Sequence, residues 1–319
     1  MISSNWPWNS PGELRFDRFM DLALHDPARG YYARRIRAVG KGGDFTTTPM
    51  LSPALAQAVG AWAAGAMKET GCRDLIELGP GEGRLAAAVL KCLPWWRRPR
   101  LHLVERSGPL RAKQAAVLGR RVRWHDSIEA ALDSCGGNAC IYSNEFADAF
   151  PVRRFRREEG GWSELFLDPG EKWMPCAEPP DSSIFESPWP AGQIVEVADA
   201  YHDWLRGWLA GWRAGRMLTI DYGAEADAIY HRRPRGSLRA YFMQQRLEGP
   251  DIYLNPGRQD LTADVNFTDL QRWAEPRLDT VSLTTQREFL TPHAAAGDAR
   301  LMDPAGAGEA FRVLDQRRA

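Results

Sequence analysis

The sequence predicts an α/β fold built on a Rossmann-like, mostly parallel sheet, with an N-terminal helical extension and inserted segments. Three observations predict it. From residue 73 the pattern alternates strand, helix, strand, helix, which implies a parallel sheet with helices on both faces. The apolar run Leu75-Ile76-Glu77-Leu78 ends in three alternate glycines, Gly79, Gly81 and Gly83, and opens onto good helix formers at 84–90. Two later apolar runs, 101–104 and 141–143, deliver Glu105 and the pair Asn144-Glu145 to strand carboxyl ends, the edge where ligands bind in such sheets.

The elements follow in order. Ser10-Pro11-Gly12-Glu13 has the form of a capping box with proline at the first helical position. The helix it starts carries Phe16, Phe19, Met20, Ala23 and Leu24 on one face and ends at the turn 26–30. Residues 41–49 read as a polar loop, and Ser52-Pro53 starts a second helix that closes at Gly71. Residues 1–70 are therefore expected to form a helical lid, and 71–319 the Rossmann-like domain with insertions at about 151–195 and 222–265. Strands are expected near 73–78, 100–105, 121–124 and 139–143, with helices near 83–93 and 108–118. Residues 152–158 and 161–167 read as a hairpin turning at Glu159-Gly160, and 175–190 as a Pro-rich loop. The helix at 198–213 carries Trp204, Trp208 and Trp212 at helical spacing, a core stripe rather than a ligand cage. A buried strand at 216–221 precedes the long 222–265 insertion, whose length suits a functional loop, and a helix at 267–274 with further strands completes the sheet.

Composition narrows the function classes. The 319 residues carry 41 basic and 41 acidic side chains, which gives no net pull toward nucleic acid or membrane. The dense arginine runs, 153–154 with 156–157 and 232–233 with 235, read as solvated faces. Five cysteines without a C-x-x-C pair fit free thiols in a reducing cytosol. Six scattered histidines show no metal-ligand spacing, so no metal is expected. No signal or transit pattern opens the sequence and no apolar run spans a bilayer, which sets a cytoplasmic expectation. The oligomeric state is not legible.

The glycines at 79, 81 and 83 permit sharp turning and close backbone approach to a ligand. Their G-x-G-x-G spacing is not the G-x-G-x-x-G of a pyrophosphate site, which argues against a nicotinamide dinucleotide. There is no P-loop lysine, and Glu77 and Glu82 crowd the loop with acid, so a cationic sulfonium suits it better than a phosphate. Glu105, 22 residues past Gly83, stands where a carboxylate can accept both ribose hydroxyls of an adenosine. S-adenosylmethionine is the expected cofactor. In the segment 141–151, Glu145 and Asp148 stand three apart and share a face if the following turn is helical. Two carboxylates there suit a guanidinium and the proton that a methylated nitrogen loses. The plainer alternative is that Asn144 caps a turn and the acids are merely exposed. Asp221 and Tyr222 begin the 222–265 insertion at a strand end and suit a pocket wall.

The chain resembles the MidA-like methyltransferases, a family that includes a mitochondrial complex I assembly factor acting as a protein arginine methyltransferase. The resemblance runs through Asp26-Pro27 with Gly30-Tyr31-Tyr32, Gly43-Asp44-Phe45 with Thr47, and Glu77-Leu78-Gly79-Pro80-Gly81. It continues in Asn144-Glu145-Phe146 with Asp148-Ala149, Asp221-Tyr222-Gly223, 238–241 and 260–265. It implies a class I methyltransferase fold, cofactor contacts from Gly79, Gly81 and Glu105, and Asp126 on the adenine side. It also implies that Asp44, Phe45 and Thr47 line the pocket, and that Asn144, Glu145 and Asp148 meet a protein substrate. Phe45 or Phe146 would shield the methyl group. Departures at Glu82, Arg84 and Thr48 leave the acceptor open: a small molecule, another side chain, or an assembly role with little catalysis.

Overall fold

The structure, a computed structural model, describes Pro7 and residues 13–34, 53–119, 122–168, 170–243, 245–295 and 298–319. It contains two compact units, each assembled from separate stretches of chain. One comprises residues 38–146, 204–223 and 271–319, and the other 1–37, 147–203 and 224–270.

The first unit carries the main sheet. Its strands are β1 (Asp74–Leu78), β2 (Arg100–Val104), β3 (Val122–His125), β4 (Cys140–Asn144), β5 (Arg216–Ala224), β6 (Leu278–Thr285) and β7 (Phe311–Arg318). Hydrogen bonds order them β6-β7-β5-β4-β1-β2-β3. Strands β1 to β5 pair in parallel, while β7 runs antiparallel to both β5 and β6. Every residue of β1 and β4 is buried, which is why these strands read as apolar runs without alternation. Four helices accompany them: α1 (Pro53–Thr70), α2 (Arg84–Cys92), α3 (Gly108–Leu118) and α4 (Ile128–Ser134). Ser107 and Ser127 cap α3 and α4 through their hydroxyls, fixing where each helix begins.

A division at residue 70 does not match this unit. Helix α1 belongs to the sheet's own core, where Leu55, Val59 and Ala63 join Leu75, Leu85, Val89 and Leu218. Small residues explain the fit: a Cβ added at Gly60 would lie 3.3 Å from Cys92 Cβ, so α1 lies close against α2. Trp208 and Trp212 are buried in this unit, as their spacing predicts.

The second unit contains the helix Phe16–His25, whose predicted apolar face is fully buried. Tyr253 packs edge-on against Phe16 and Phe19, with ring centroids 6.3 and 5.7 Å apart. The expected hairpin forms as Arg153–Glu158 and Gly161–Asp168. A further strand, Gly170–Cys176, takes the start of the expected Pro-rich loop. Pro175 is tolerated because that strand pairs on one side only. Ile194–Val197 pairs on the hairpin's other edge, and the 222–265 insertion contains a small sheet of Arg239–Phe242, Gln245–Leu247 and Asp260–Thr262. The first arginine run is not a solvated face. Arg154 is buried against Glu196, and Arg153 makes a two-pronged pair with Glu164 at 2.6 and 2.7 Å. Strand geometry carries both side chains to interior carboxylates that are distant in sequence, which a local charge count does not reveal.

Chain entry into β5 leaves no room for a side chain. Gly215 has φ +143°, and an added Cβ would fall 1.8 Å from the Ala139 carbonyl oxygen. Gly215→Ala is expected to lower stability by at least about 2 kcal/mol, read as a lower urea midpoint with an unchanged slope.

Candidate functional site

Strand order reverses between β1 and β4, with β2 and β3 to one side and β5 to the other. A crevice opens at the carboxyl ends of such a strand pair. Leu78 lies opposite Ser143, so the glycine loop and Asn144-Glu145 leave the sheet side by side. Gly79, Gly81 and Gly83 all adopt the left-handed conformation, at φ 60°, 53° and 76°. A Cβ on Gly79 would lie 2.7 Å from Phe146 Cδ2, so that glycine permits the aromatic ring to close on the loop. Among the described residues nothing lies within 4 Å of a Cβ added at Gly81, a cradle in which a ligand can lie against backbone.

Glu105 ends β2 and is largely withdrawn from solvent. Its Oε1 accepts from Ser107 N at 2.7 Å and its Oε2 from Gln114 Nε2 at 3.4 Å. Burial raises its carboxyl above the usual range, opposed by these two donors. Each oxygen retains capacity for a further hydrogen bond, which suits a pair of ribose hydroxyls.

The acids of the loop behave differently from the sequence expectation. Glu82 is paired with Arg84 at 3.0 Å and with Lys113 at 3.0 Å. Glu77 is fully buried inside β1; burial pushes its carboxyl up to about 8, beside the Tyr142 hydroxyl. Neither acid therefore crowds the loop with unbalanced charge. Among the described residues Glu77 Oε2 is buried with only the neighbouring Tyr142 hydroxyl to engage it, and no hydrogen bond of good geometry forms. A carboxyl in that state ionises readily only against a cation, and S-adenosylmethionine carries two, a sulfonium and an ammonium. The Gly81 cradle, the Glu105 carboxylate and this orphaned oxygen fit that cofactor. Asp126 follows β3, is 85% exposed at its side chain, and pairs with Arg111 at 2.7 Å.

At the β4 end, Glu145 adopts φ 54°, a left-handed conformation rare for a residue with a side chain. Its N–H donates to Ile220 O at 2.9 Å, and the next N–H, of Phe146, donates to Asp221 Oδ2 at 3.1 Å. Asp221 is fully buried, and its Oδ1 accepts from Tyr222 N at 3.0 Å. Asn144 Nδ2 donates to Glu145 Oε1 at 3.0 Å, orienting that carboxylate. The Phe146 ring packs edge-on to Trp204 with centroids 5.5 Å apart.

One expectation changes here. Glu145 and Asp148 do not share a helix face, because a left-handed Glu145 breaks the helical path and only 147–149 form a 3-10 turn. Asp148 belongs to the second unit, where it accepts from Thr262 Oγ1 at 2.8 Å. Tyr222 packs edge-on to Phe311 at 5.2 Å beside the hydrophobic core, and Asp221 accepts from the backbone N–H of Phe146 and of Tyr222. Asp44, Phe45 and Thr47 lie outside the described residues. Sequence reasoning missed Gln114, which is fully buried in α3 and donates to Gly81 O at 2.7 Å. Its signal was present: it is the polar member of the stripe Leu110, Gln114, Leu118.

The family model of an S-adenosyl-L-methionine-dependent methyltransferase matches residues 58–284. The chain is 28% identical to the mouse "Protein arginine methyltransferase NDUFAF7, mitochondrial", over 88% of this chain and 71% of that protein. The human protein of the same name is 27% identical over 88% of this chain and 70% of that protein. A candidate methyl transferase from Burkholderia thailandensis, crystallised with S-adenosyl-homocysteine, superposes with a TM-score of 0.85 at 29% identity, covering 96% of this chain and 88% of that one. The cofactor is S-adenosylmethionine, and the fold is that of a class I methyltransferase. The cytoplasmic expectation is overturned, since these curated relatives are named as mitochondrial.

Two measurements probe the site. Gly79→Ala is expected to reduce S-adenosyl-homocysteine affinity at least about tenfold by calorimetry, since its Cβ meets Phe146. Glu77 gives a stability signature in the ligand-free protein. Its unfolded carboxyl titrates near 4.5 and its folded one near 8, so the native state holds an extra proton between those values. Stability should then fall as pH rises through that window, by roughly 5 kcal/mol in all, and level off above it. Glu77→Gln should remove that slope in urea titrations at pH 5, 6.5 and 8.

Proposed function

The chain belongs to this family of S-adenosyl-L-methionine-dependent methyltransferases, and we propose that its methyl acceptor is a protein arginine side chain. The observation that carries the proposal is the Glu145 carboxylate, held at the end of β4 by Asn144 and by a backbone pinned on both sides. A fixed carboxylate offers two acceptors to the forked donors of a guanidinium, a match that ammonium or hydroxyl acceptors use less fully. The names of the mammalian relatives support the same acceptor.

The cofactor supplies an electrophilic methyl group on a sulfonium, open to in-line attack by a nitrogen. The chain supplies position. Gly79, Gly81 and Gly83 would seat it against backbone, Glu105 would take the ribose, Glu77 would meet a positive charge, and Asp126 would lie on the adenine side. Glu145 would orient the acceptor nitrogen about 3–3.5 Å from the methyl carbon, the separation that productive alignment requires. The same carboxylate would accept the proton that the nitrogen gives up. Phe146, closed over Gly79, would keep water from that approach.

Glu145→Gln keeps the shape and removes the charge. Methyl transfer should fall by about 10²-fold or more, with S-adenosyl-homocysteine affinity within about twofold of the parent. A large loss of cofactor affinity instead would remove Glu145 from the acceptor side. The acceptor itself is read by mass spectrometry of proteins from cells with and without the gene. A gene-dependent methylated arginine is expected; a gene-dependent methylated small molecule in its place overturns the arginine assignment.

A further inference from the structure

We infer that Gln114 is a positioning residue of the cofactor site, a buried amide that locks the glycine loop to the Glu105 carboxylate. The inference rests on the reading of Glu105 as the ribose ligand and is independent of the acceptor's identity.

Three elements meet at this one side chain. Gln114 lies on α3 and is fully buried. Its Nε2 donates to Gly81 O at 2.7 Å, in the loop after β1, and to Glu105 Oε2 at 3.4 Å, at the end of β2. Its Oε1 accepts from Trp124 Nε1 at 2.8 Å, on β3. Chemistry settles the amide's orientation, because an indole N–H only donates while a carbonyl and a carboxylate only accept. The oxygen must face Trp124 and the nitrogen must face the loop. No other side chain of this length offers two donors on one arm and an acceptor on the other. Glutamate would set a carboxylate against Glu105 and the Gly81 carbonyl, and leucine would leave three half-buried polar groups unmatched.

Two consequences bear on the cofactor. The peptide plane is rigid, so tying down the Gly81 carbonyl also fixes the opposite direction of the Glu82 N–H at the floor of the cradle. With Ser107 N on Oε1 and Gln114 on Oε2, the Glu105 carboxylate is held at both oxygens and presents one fixed face. The helix also touches the loop directly: a Cβ on Gly83 would lie 3.2 Å from Gln114 Cγ and 3.1 Å from Leu118 Cδ1. The loop therefore takes its shape from α3 as well as from its glycines.

The test is S-adenosyl-homocysteine affinity by calorimetry on the full chain, for Gln114→Leu, Gln114→Glu, Trp124→Phe, Glu105→Gln and the double variant Gln114→Leu/Glu105→Gln. Gln114→Leu and Gln114→Glu should each weaken binding at least about tenfold. Trp124→Phe, which keeps the glutamine and frees its oxygen, should weaken it by a smaller factor. In the double variant the losses should fail to multiply, because the two side chains act as one unit. A role in general stability alone would lower the ligand-free melting temperature and let the losses multiply, and that result overturns the inference. Affinity within twofold of the parent in Gln114→Leu, or in Trp124→Phe should the leucine variant not fold, overturns it as well. Should Glu105→Gln alone leave affinity unchanged, the ribose reading fails, and the Gln114 clamp on Gly81 is then judged by Gln114→Leu by itself.

Discussion

The parallel pairing of β1 with β4 is the constraint on which the site depends. These strands are buried along their whole length and are neighbours because the strand order reverses between them. Their register, Ile76 opposite Ile141 and Leu78 opposite Ser143, decides what leaves the sheet together. A slip of one residue would send every side chain to the other face and part Gly79 from Phe146. The close approach at that glycine is thus a consequence of core packing, set by residues that touch no ligand. Stability and site geometry are the same property here, since the hydrophobic residues that fix the register also fix the crevice.

Electrostatics qualifies the route by which the cofactor can be read from sequence. Glu77 and Glu82, counted as charges, turn the loop against phosphate and toward a sulfonium. In the folded chain Glu82 is neutralised by Arg84 and Lys113, and Glu77 is held protonated near neutrality by burial. The cofactor stands on the family match and on the likeness to a structure bound to S-adenosyl-homocysteine rather than on a negative loop. A carboxyl poised at about 8 still suits a cationic ligand, but as a group that ionises on binding rather than as a standing field.

Much of this was legible because it is local. The glycine loop, the strands around it and the Trp208–Trp212 core follow from spacing and residue type within a few positions. What was not legible is carried by pairs far apart in sequence. Arg154 finds Glu196 and Ser237 lies on the same carboxylate, so a run that looks solvated is interior. Glu145 needs Ile220 and Asp221, 75 residues on, to hold its turn. The strand at 170–176 was hidden by its own Gly170 and Pro175, and the small sheet of the 222–265 segment by the Gly and Pro residues of the loops between its short strands. Gln114 sat in plain view on a helix face, but its meaning comes from Gly81 and Trp124, which only the fold brings to it.

The left-handed Glu145 shows why this turn ends in a charged residue. A non-glycine residue in that region costs on the order of 1–3 kcal/mol and persists only where surroundings over-determine it. Here they do: the Glu145 N–H is spent on Ile220, the Phe146 N–H on Asp221, and the Asn144 amide on the Glu145 carboxylate. Glycine at 145 would take the same backbone without strain, as it does at 79, 81 and 83. The turn keeps a side chain at that cost, and the side chain kept is a carboxylate at the carboxyl end of the strand beside the cofactor loop. A residue needed only for the turn would be glycine or asparagine. The strained turn thereby holds an oriented carboxylate at the end of β4, next to the glycine loop that follows β1.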